Sequence, residues 1–174
     1  FFVFNIAING FGRIGRTFLR TAIERKLNVI AVNDLADPST LAHLFKYDSV
    51  HGVYKGVIEY DENHLIVDGN KILILTEKDP EQLPWQELAI DLVIESTGKF
   101  TNQHTAGLHL KAGAKQVLIS APATDSTIPM VVIGVNDNQI DLKSKIISNA
   151  SCTTNNVAPM VKILDENWGV QEGY

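Results

Sequence analysis

The chain has 174 residues, 45% of them apolar and 20% charged, the composition of a globular fold able to bury a core rather than of a disordered or fibrous one. A formal net charge of -5 argues against a nucleic-acid partner, and no apolar run approaches the ~20 consecutive residues that span a bilayer, so no membrane role is expected. A single cysteine excludes an internal disulfide and fits a reducing, cytoplasmic setting.

Phe2 to Ile8 reads as a continuous apolar strand, stopped by Asn9-Gly10. Ile14, Phe18, Leu19, Ala22 and Ile23 then recur at helical spacing, which predicts a helix from about Arg13 to Lys26. Val29 to Val32 is a second buried strand, ending at Asn33-Asp34 and completing a βαβ unit. Pro38-Ser39 opens a short helix with Leu41, Leu44 and Phe45 on one face. From Gly56 to Glu77, short β-rich runs alternate with turn signals, and Asp68-Gly69 between apolar runs marks a hairpin, so an antiparallel insertion is expected on a parallel sheet.

The α/β rhythm then returns. DPEQLPWQEL is a capped helical turn, and DLVIES a strand running into Ser96-Thr97-Gly98. Asn102 to Ala112 is a helix closed by Gly113. QVLIS, Met130 to Gly134 and Lys145 to Ser148 are three further strands, and a last helix presents Val157, Val161, Leu164 and Trp168 on one face before Gly169. Strands and helices that alternate, with continuously apolar strands, imply an α/β doubly wound, mostly parallel sheet covered on both faces.

Gly10, Gly12 and Gly15 form G-x-G-x-x-G immediately after a strand and at the opening of a helix. In that context the three glycines serve a tight turn, close backbone approach to a pyrophosphate and close helix–strand packing, while the helix N-terminus favours the anion. Asp34 lies nineteen residues past Gly15, at the end of the second strand. A carboxylate at about that spacing accepts ribose hydroxyls and repels a 2′-phosphate, which selects NAD over NADP; the other reading is that Asn33-Asp34 simply turns the chain. Ser96, Thr97 and Gly98, and Ser120, are small strand-end residues placed to approach the nicotinamide end of such a cofactor.

Cys152 follows a strand end and begins a helix whose first turn is read as holding Pro159. The positive end of a helix favours thiolate, the nucleophilic form, and its free N–H groups can bind an oxyanion or, through Ser151 and Thr153, a phosphate. The alternative is an inert packed thiol.

GFGRIGR, NDL at Asn33 to Leu35, YDSVHG at Tyr47 to Gly52, ESTGKF at Glu95 to Phe100, ISAPA at Ile119 to Ala123, GVN at Gly134 to Asn136 and SNASCTTN at Ser148 to Asn155 together resemble phosphorylating glyceraldehyde-3-phosphate dehydrogenases. The resemblance runs the length of the chain and implies a Rossmann NAD-binding domain over 1–151, with 152–174 the first helix of a catalytic domain. It further implies that the Cys152 thiolate attacks the aldehyde of glyceraldehyde 3-phosphate, that hydride passes to NAD to leave a thioester, and that inorganic phosphate releases 1,3-bisphosphoglycerate. Ser151 and Thr153 match a phosphate subsite. Arg13 and Ile14 match backbone contacts to the cofactor phosphates, Asp34 a ribose contact and Ser120 a contact near the nicotinamide. Lys78 stands where the family often has Arg at a cofactor contact. The family's members are cytosolic homotetramers of central carbon metabolism.

Two departures stand out. Asn156 replaces a second Cys found in many members, and the family's catalytic His matches no position here: His43, His51, His64, His104 and His109 all precede Cys152. The chain therefore reads as a fragment without its general base, and its histidines as surface or packing residues. An erythrose-4-phosphate dehydrogenase shares the motifs, and a non-catalytic dinucleotide-binding module accounts for the glycine loop and Asp34. A thiol hydrolase accounts for neither.

Overall fold

The computed structural model describes residues 3–141 and 143–173. Ten strands and four α-helices follow one another: β1 Asn5–Asn9, α1 Arg13–Glu24, β2 Asn28–Asn33, α2 Pro38–Lys46, β3 Tyr47–Asp48, β4 Gly52–Val53, β5 Ile58–Tyr60, β6 His64–Val67, β7 Asn70–Leu75, β8 Leu92–Glu95, α3 Gln103–Lys111, β9 Gln116–Ile119, β10 Ile146–Ser148 and α4 Cys152–Trp168. Eight strands form one sheet in the order β10-β9-β8-β1-β2-β7-β6-β5, while β3 and β4 pair separately. The six strands from β10 to β7 are parallel, and β6 and β5 extend that sheet antiparallel. This is the doubly wound architecture expected. Its order reverses between β1 and β8, and the crevice beyond the carboxyl ends of the strands at that switch point is where such sheets bind ligands.

Alternation along the strands divides the core. Ile6 and Ile8 face a cluster with Phe11, Leu19, Ala22, Leu41 and Phe45, covered by α1 and α2. Ala7 and Ala31 face the opposite cluster, built on Trp85, Ile90, Val93, Ala106, Val117, Ile119 and Ile146 and covered by α3 and the segment before β8. Helix α1 ends earlier than its apolar pattern suggests. Lys26 enters the left-handed region at φ 55°, Leu27 N–H reaches Ala22 O at 2.8 Å and Lys26 N–H reaches Ile23 O at 3.0 Å, which caps the last turn. The Asp68-Gly69 hairpin forms as expected, with φ of 50° and 81° at its two turn residues.

Four expectations are corrected. The first strand starts at Asn5, not at Phe2, which lies outside the described residues; Asn5 and Ile6 are where partners become available, opposite Asn28 and Leu92. Leu44 is exposed at the surface, and Ala42 takes its place beside Leu41 and Phe45 in the core. KILIL forms a hairpin with β6 but also pairs parallel with β2, so β7 belongs to the main sheet and only β5 and β6 are the antiparallel addition. Met130 to Gly134 is not a strand. Met130 makes a single bridge to Ser148 and Val131 N–H donates to Ser148 O at 2.8 Å, but beyond them side chains take over: Val132 N–H donates to Asn136 Oδ1 and Gly134 N–H to Asp137 Oδ1, both at 2.8 Å. Those two residues wrap the run into a turn that leaves Ile133 at the surface. Among the described residues no helix is long and apolar enough to cross a membrane.

Candidate active site

At the switch point lies an open cleft of about 500 Å³, walled by Asn9, Gly10, Gly12, Asp34, Lys78, Ser96 and Thr97 among others. Its form follows from the strand ends. Gly10 leaves β1 at φ 93°, a conformation open to glycine, and its N–H donates to Asn33 O at 2.8 Å. A Cβ at Gly10 would sit 2.8 Å from Thr97 N, and one at Gly15 would sit 2.2 Å from Gly10 O, so both positions bring backbone against backbone. A Cβ at Gly12 would meet nothing within 4 Å. These are the three separate tasks the spacing predicts: turn, open approach and packing.

Gly12 is the N-cap of α1 and brings no capping side chain, and no acidic residue occupies the first turn. The N–H groups around exposed Arg13 and Ile14 therefore face solvent with the positive end of the helix behind them. Asp34 closes the other side. Its Oδ2 accepts from Phe11 N–H at 2.7 Å and its Oδ1 from Ala36 N–H at 3.1 Å, so the carboxylate is held at the rim while remaining partly exposed. Lys78 follows β7, with its N–H held by Glu77 Oε1 at 2.7 Å. Ser96 Oγ donates to Gly10 O at 2.6 Å and Thr97 folds back onto Glu95, so the lips on either side of the switch point are bonded to each other. Gly98 follows at φ 73°. The fit to a dinucleotide is thus visible in the chain itself: a gap over Gly12 that a Cβ would enter, bare helix N–H groups for phosphate and a rim carboxylate for hydroxyls.

Gly10, Gly12, Asp34, Lys78, Ser96 and Thr97 share the cleft wall; Gly15 lies buried beneath it. Ser120 follows β9 and donates its N–H to Glu95 O at 2.9 Å, one strand further along the same edge. Cys152 follows β10, the next strand, and is exposed. Because β10 and β9 run parallel to β8, Cys152 and Ser120 follow strand ends on the same edge of the sheet as the cleft, although neither lines the cleft itself, and the exposed thiol is not in the packed interior. It opens α4 behind the N-cap Ser151, whose Oγ accepts from Thr154 N–H at 2.9 Å and contacts the Thr153 and Thr154 hydroxyls at 2.9 and 2.7 Å. Thr153 is exposed beside the thiol. Pro159 lies inside α4 rather than in its first turn, because the helix already begins at Cys152.

Three of the five histidines are engaged with other side chains. His109 is fully buried against Glu95 and Trp85, His64 contacts Asp61 at 2.8 Å, and His43 packs its ring on Tyr47. Several cleft residues were not singled out from sequence: Asn9, Glu77, Glu95 behind the wall, Lys99 and Phe100. Asn9 and Glu95 are each the polar residue that ends a strand, a signal they share with ordinary strand-stop residues.

A doubly wound sheet with a glycine-lined crevice, a bare helix N-terminus and a rim acid at its switch point is a dinucleotide-binding domain. Residues 4–103 match the family described as glyceraldehyde 3-phosphate dehydrogenase, NAD binding domain, and the chain belongs to that family, with NAD as its cofactor. It is 56% identical over 171 residues to the glyceraldehyde-3-phosphate dehydrogenase of Thermotoga maritima, 53% over 169 residues to that of Mycoplasma pneumoniae and 51% over 170 residues to that of Geobacillus stearothermophilus. Each match covers 97% of this chain and 50–51% of the relative, so the chain spans about half the length of the curated relatives it matches.

Proposed function

We propose that this chain is the NAD-binding and nucleophile-bearing part of an NAD-dependent, phosphorylating glyceraldehyde-3-phosphate dehydrogenase, of the cytosolic, homotetrameric kind. The observation that carries the reading is the single exposed thiol, Cys152, at the start of a helix on the same sheet edge as the glycine-loop cleft. Residues 1–151 form the cofactor domain and 152–174 open the catalytic domain.

Gly10, Gly12 and Gly15 shape the phosphate approach, and the N–H groups at Arg13 and Ile14 receive the charge. Asp34 accepts the ribose hydroxyls, Lys78 flanks the same end, and Ser96, Thr97, Gly98 and Ser120 line the end nearer the thiol. When bound, NAD supplies the acceptor for the aldehyde's hydride. Cys152 Sγ adds to the aldehyde carbon of glyceraldehyde 3-phosphate, and inorganic phosphate later displaces the acyl group, breaking the C–S bond and restoring the thiolate. The exposed Thr153 hydroxyl, with Ser151 behind it, borders the phosphate subsite. All five histidines precede Cys152 and none falls in the family's catalytic-His motif, so the 174-residue chain is expected to bind NAD yet turn over only at a trace rate.

Two titrations test this. Calorimetry should give tighter binding for NAD than for NADP, because Asp34 opposes a 2′-phosphate; equal affinities overturn that assignment. Iodoacetamide labels the one cysteine, and glyceraldehyde 3-phosphate should slow the labelling by occupying Sγ. Labelling unaffected by the aldehyde, at the rate of an ordinary thiol, replaces the catalytic reading with that of a non-catalytic NAD-binding module.

A further inference from the structure

Beneath the cleft runs a buried chain of polar groups with no partner in solvent. The Glu95 side chain has 0% exposure, and four donors close on its carboxylate. Thr97 N–H donates to Oε1 at 2.8 Å, joined by the Thr97 hydroxyl. Asn9 Nδ2 donates to Oε2 at 2.6 Å, and His109 Nε2 lies 3.0 Å from the same oxygen.

The donor roles are fixed from both ends. Glu77 N–H can only donate, and it does so to Asn33 Oδ1 at 2.8 Å, which sets the Asn33 amide. Asn33 Nδ2 then donates to Asn9 Oδ1 at 2.7 Å, so Asn9 turns its own Nδ2 toward Glu95. From the other side, Trp85 Nε1–H can only donate, and it does so to His109 Nδ1 at 3.0 Å. His109 is therefore the neutral tautomer with its proton on Nε2, aimed at Glu95. Every group around the carboxylate is a donor, and a carboxylate alone among the side chains of this size can accept from all of them.

This carboxylate touches both lips of the switch-point crevice: Asn9 ends β1, and Thr97 follows β8. The lips are in near contact, since a Cβ at Gly10 would lie 2.8 Å from both Thr97 N and Thr97 Cγ2. We infer that Glu95 is the positioning residue of the dinucleotide cleft, holding Thr97 against the glycine loop at a fixed separation, with Trp85 and His109 as its buried brace. The inference rests on reading the cleft as the NAD site.

Glu95→Gln presents one carbonyl and one amide N–H₂ to four donors; the Thr97 hydroxyl can turn to accept, but at least one N–H donor must then face the amide N–H₂. The expected result is an NAD Kd at least tenfold higher by calorimetry, measured well below the variant's melting temperature. Normal NAD affinity in a folded E95Q chain, with only the melting temperature lowered, reduces Glu95 to a packing residue and overturns the inference. Should E95Q not fold, Thr97 decides. T97V deletes one of the donors and should raise Kd several-fold at unchanged melting temperature, while T97S, which keeps the hydroxyl, should restore it; equal Kd values for the two overturn the inference. Failure of the unmutated chain to bind NAD would sink the cofactor reading, and amide exchange would still judge the brace. In T97V, or in folded E95Q, the backbone amide of residue 97 should exchange faster while Val93 within β8 stays protected. Unchanged protection at residue 97 refutes it.

Discussion

A methyl group added at Gly15 would lie 2.2 Å from the Gly10 carbonyl oxygen and 3.1 Å from both Ile8 Cγ2 and Ser96 Oγ, whereas one added at Gly12 would meet nothing within 4 Å. The two glycines of one loop thus separate stability from binding. Gly15→Ala forces α1 away from β1, and overpacking of this kind costs about 1–3 kcal/mol. Gly12→Ala leaves the packing intact, with a stability change within about 0.5 kcal/mol, but projects its methyl into the space a pyrophosphate would use. Thermal melts paired with NAD titrations read both. G15A should melt earlier, G12A should melt with the parent chain, and both should bind NAD more weakly. A G12A chain with parental affinity would remove the phosphate from that loop.

At the level of elements, most of the parallel strands were legible because each is a short apolar run bounded by polar or glycine punctuation, and both faces of the sheet bury side chains; their order in the sheet was not read. The glycine loop and Asp34 were legible because their spacing carries a backbone requirement. Met130 to Gly134 misled because an apolar run does not reveal that Asn136 and Asp137 will take its backbone donors. Glu95 was hidden for the opposite reason: a charged residue inside a strand-end motif gives no sign that its partners are 14 and 86 residues away, at His109 and Asn9. The amino-terminal edge of the sheet has a similar long-range tie. Asp91, just before β8, accepts from Lys115 Nζ at 2.7 Å and from Asn5 N–H at 2.8 Å, binding the starts of β8, β9 and β1 together. The Lys115 bond, foremost, and then the Asn5 N–H hold the Asp91 carboxyl below the usual carboxylate range, against the opposing effect of burial. A depressed carboxyl contributes stability that is present above its unfolded pKa of about 3.9 and is lost as pH falls through the lower folded value. Lys115→Met removes the first cause, so acid unfolding followed by circular dichroism should begin at higher pH. With Lys115 63% exposed, the difference at neutral pH is small, roughly 0.2–1 kcal/mol. Superimposable acid transitions would show that Asp91 owes its state to the backbone alone.

On the scale of the whole molecule, the sheet is covered on both faces while α4 is not integrated into either core cluster. None of its residues is buried, and Val157, Met160, Val161, Ile163, Leu164 and Trp168 are all exposed, Trp168 at 77%. A helix of 17 residues interrupted by Pro159 has little intrinsic stability in water, because nucleation is costly and the proline removes one backbone bond. The same helix carries Cys152 at its first position, so the order of that thiol depends on an element whose apolar side is exposed. Burial of such surface is worth about 25 cal/mol per Å², which favours association of this chain through α4 as concentration rises. Sedimentation velocity over a concentration series should therefore show oligomers. The two tryptophans report where contact forms: Trp85 has no exposure, so acrylamide quenching comes from Trp168 and should fall as oligomers appear. Leu164→Lys with Val161→Glu should return the chain to a monomer with Trp168 fully quenchable and NAD affinity unchanged, since neither position lines the cleft. A parent chain that stays monomeric at high concentration would mean that α4 can remain solvated, and that the exposure of Cys152 is a stable state of this chain rather than one that self-association masks.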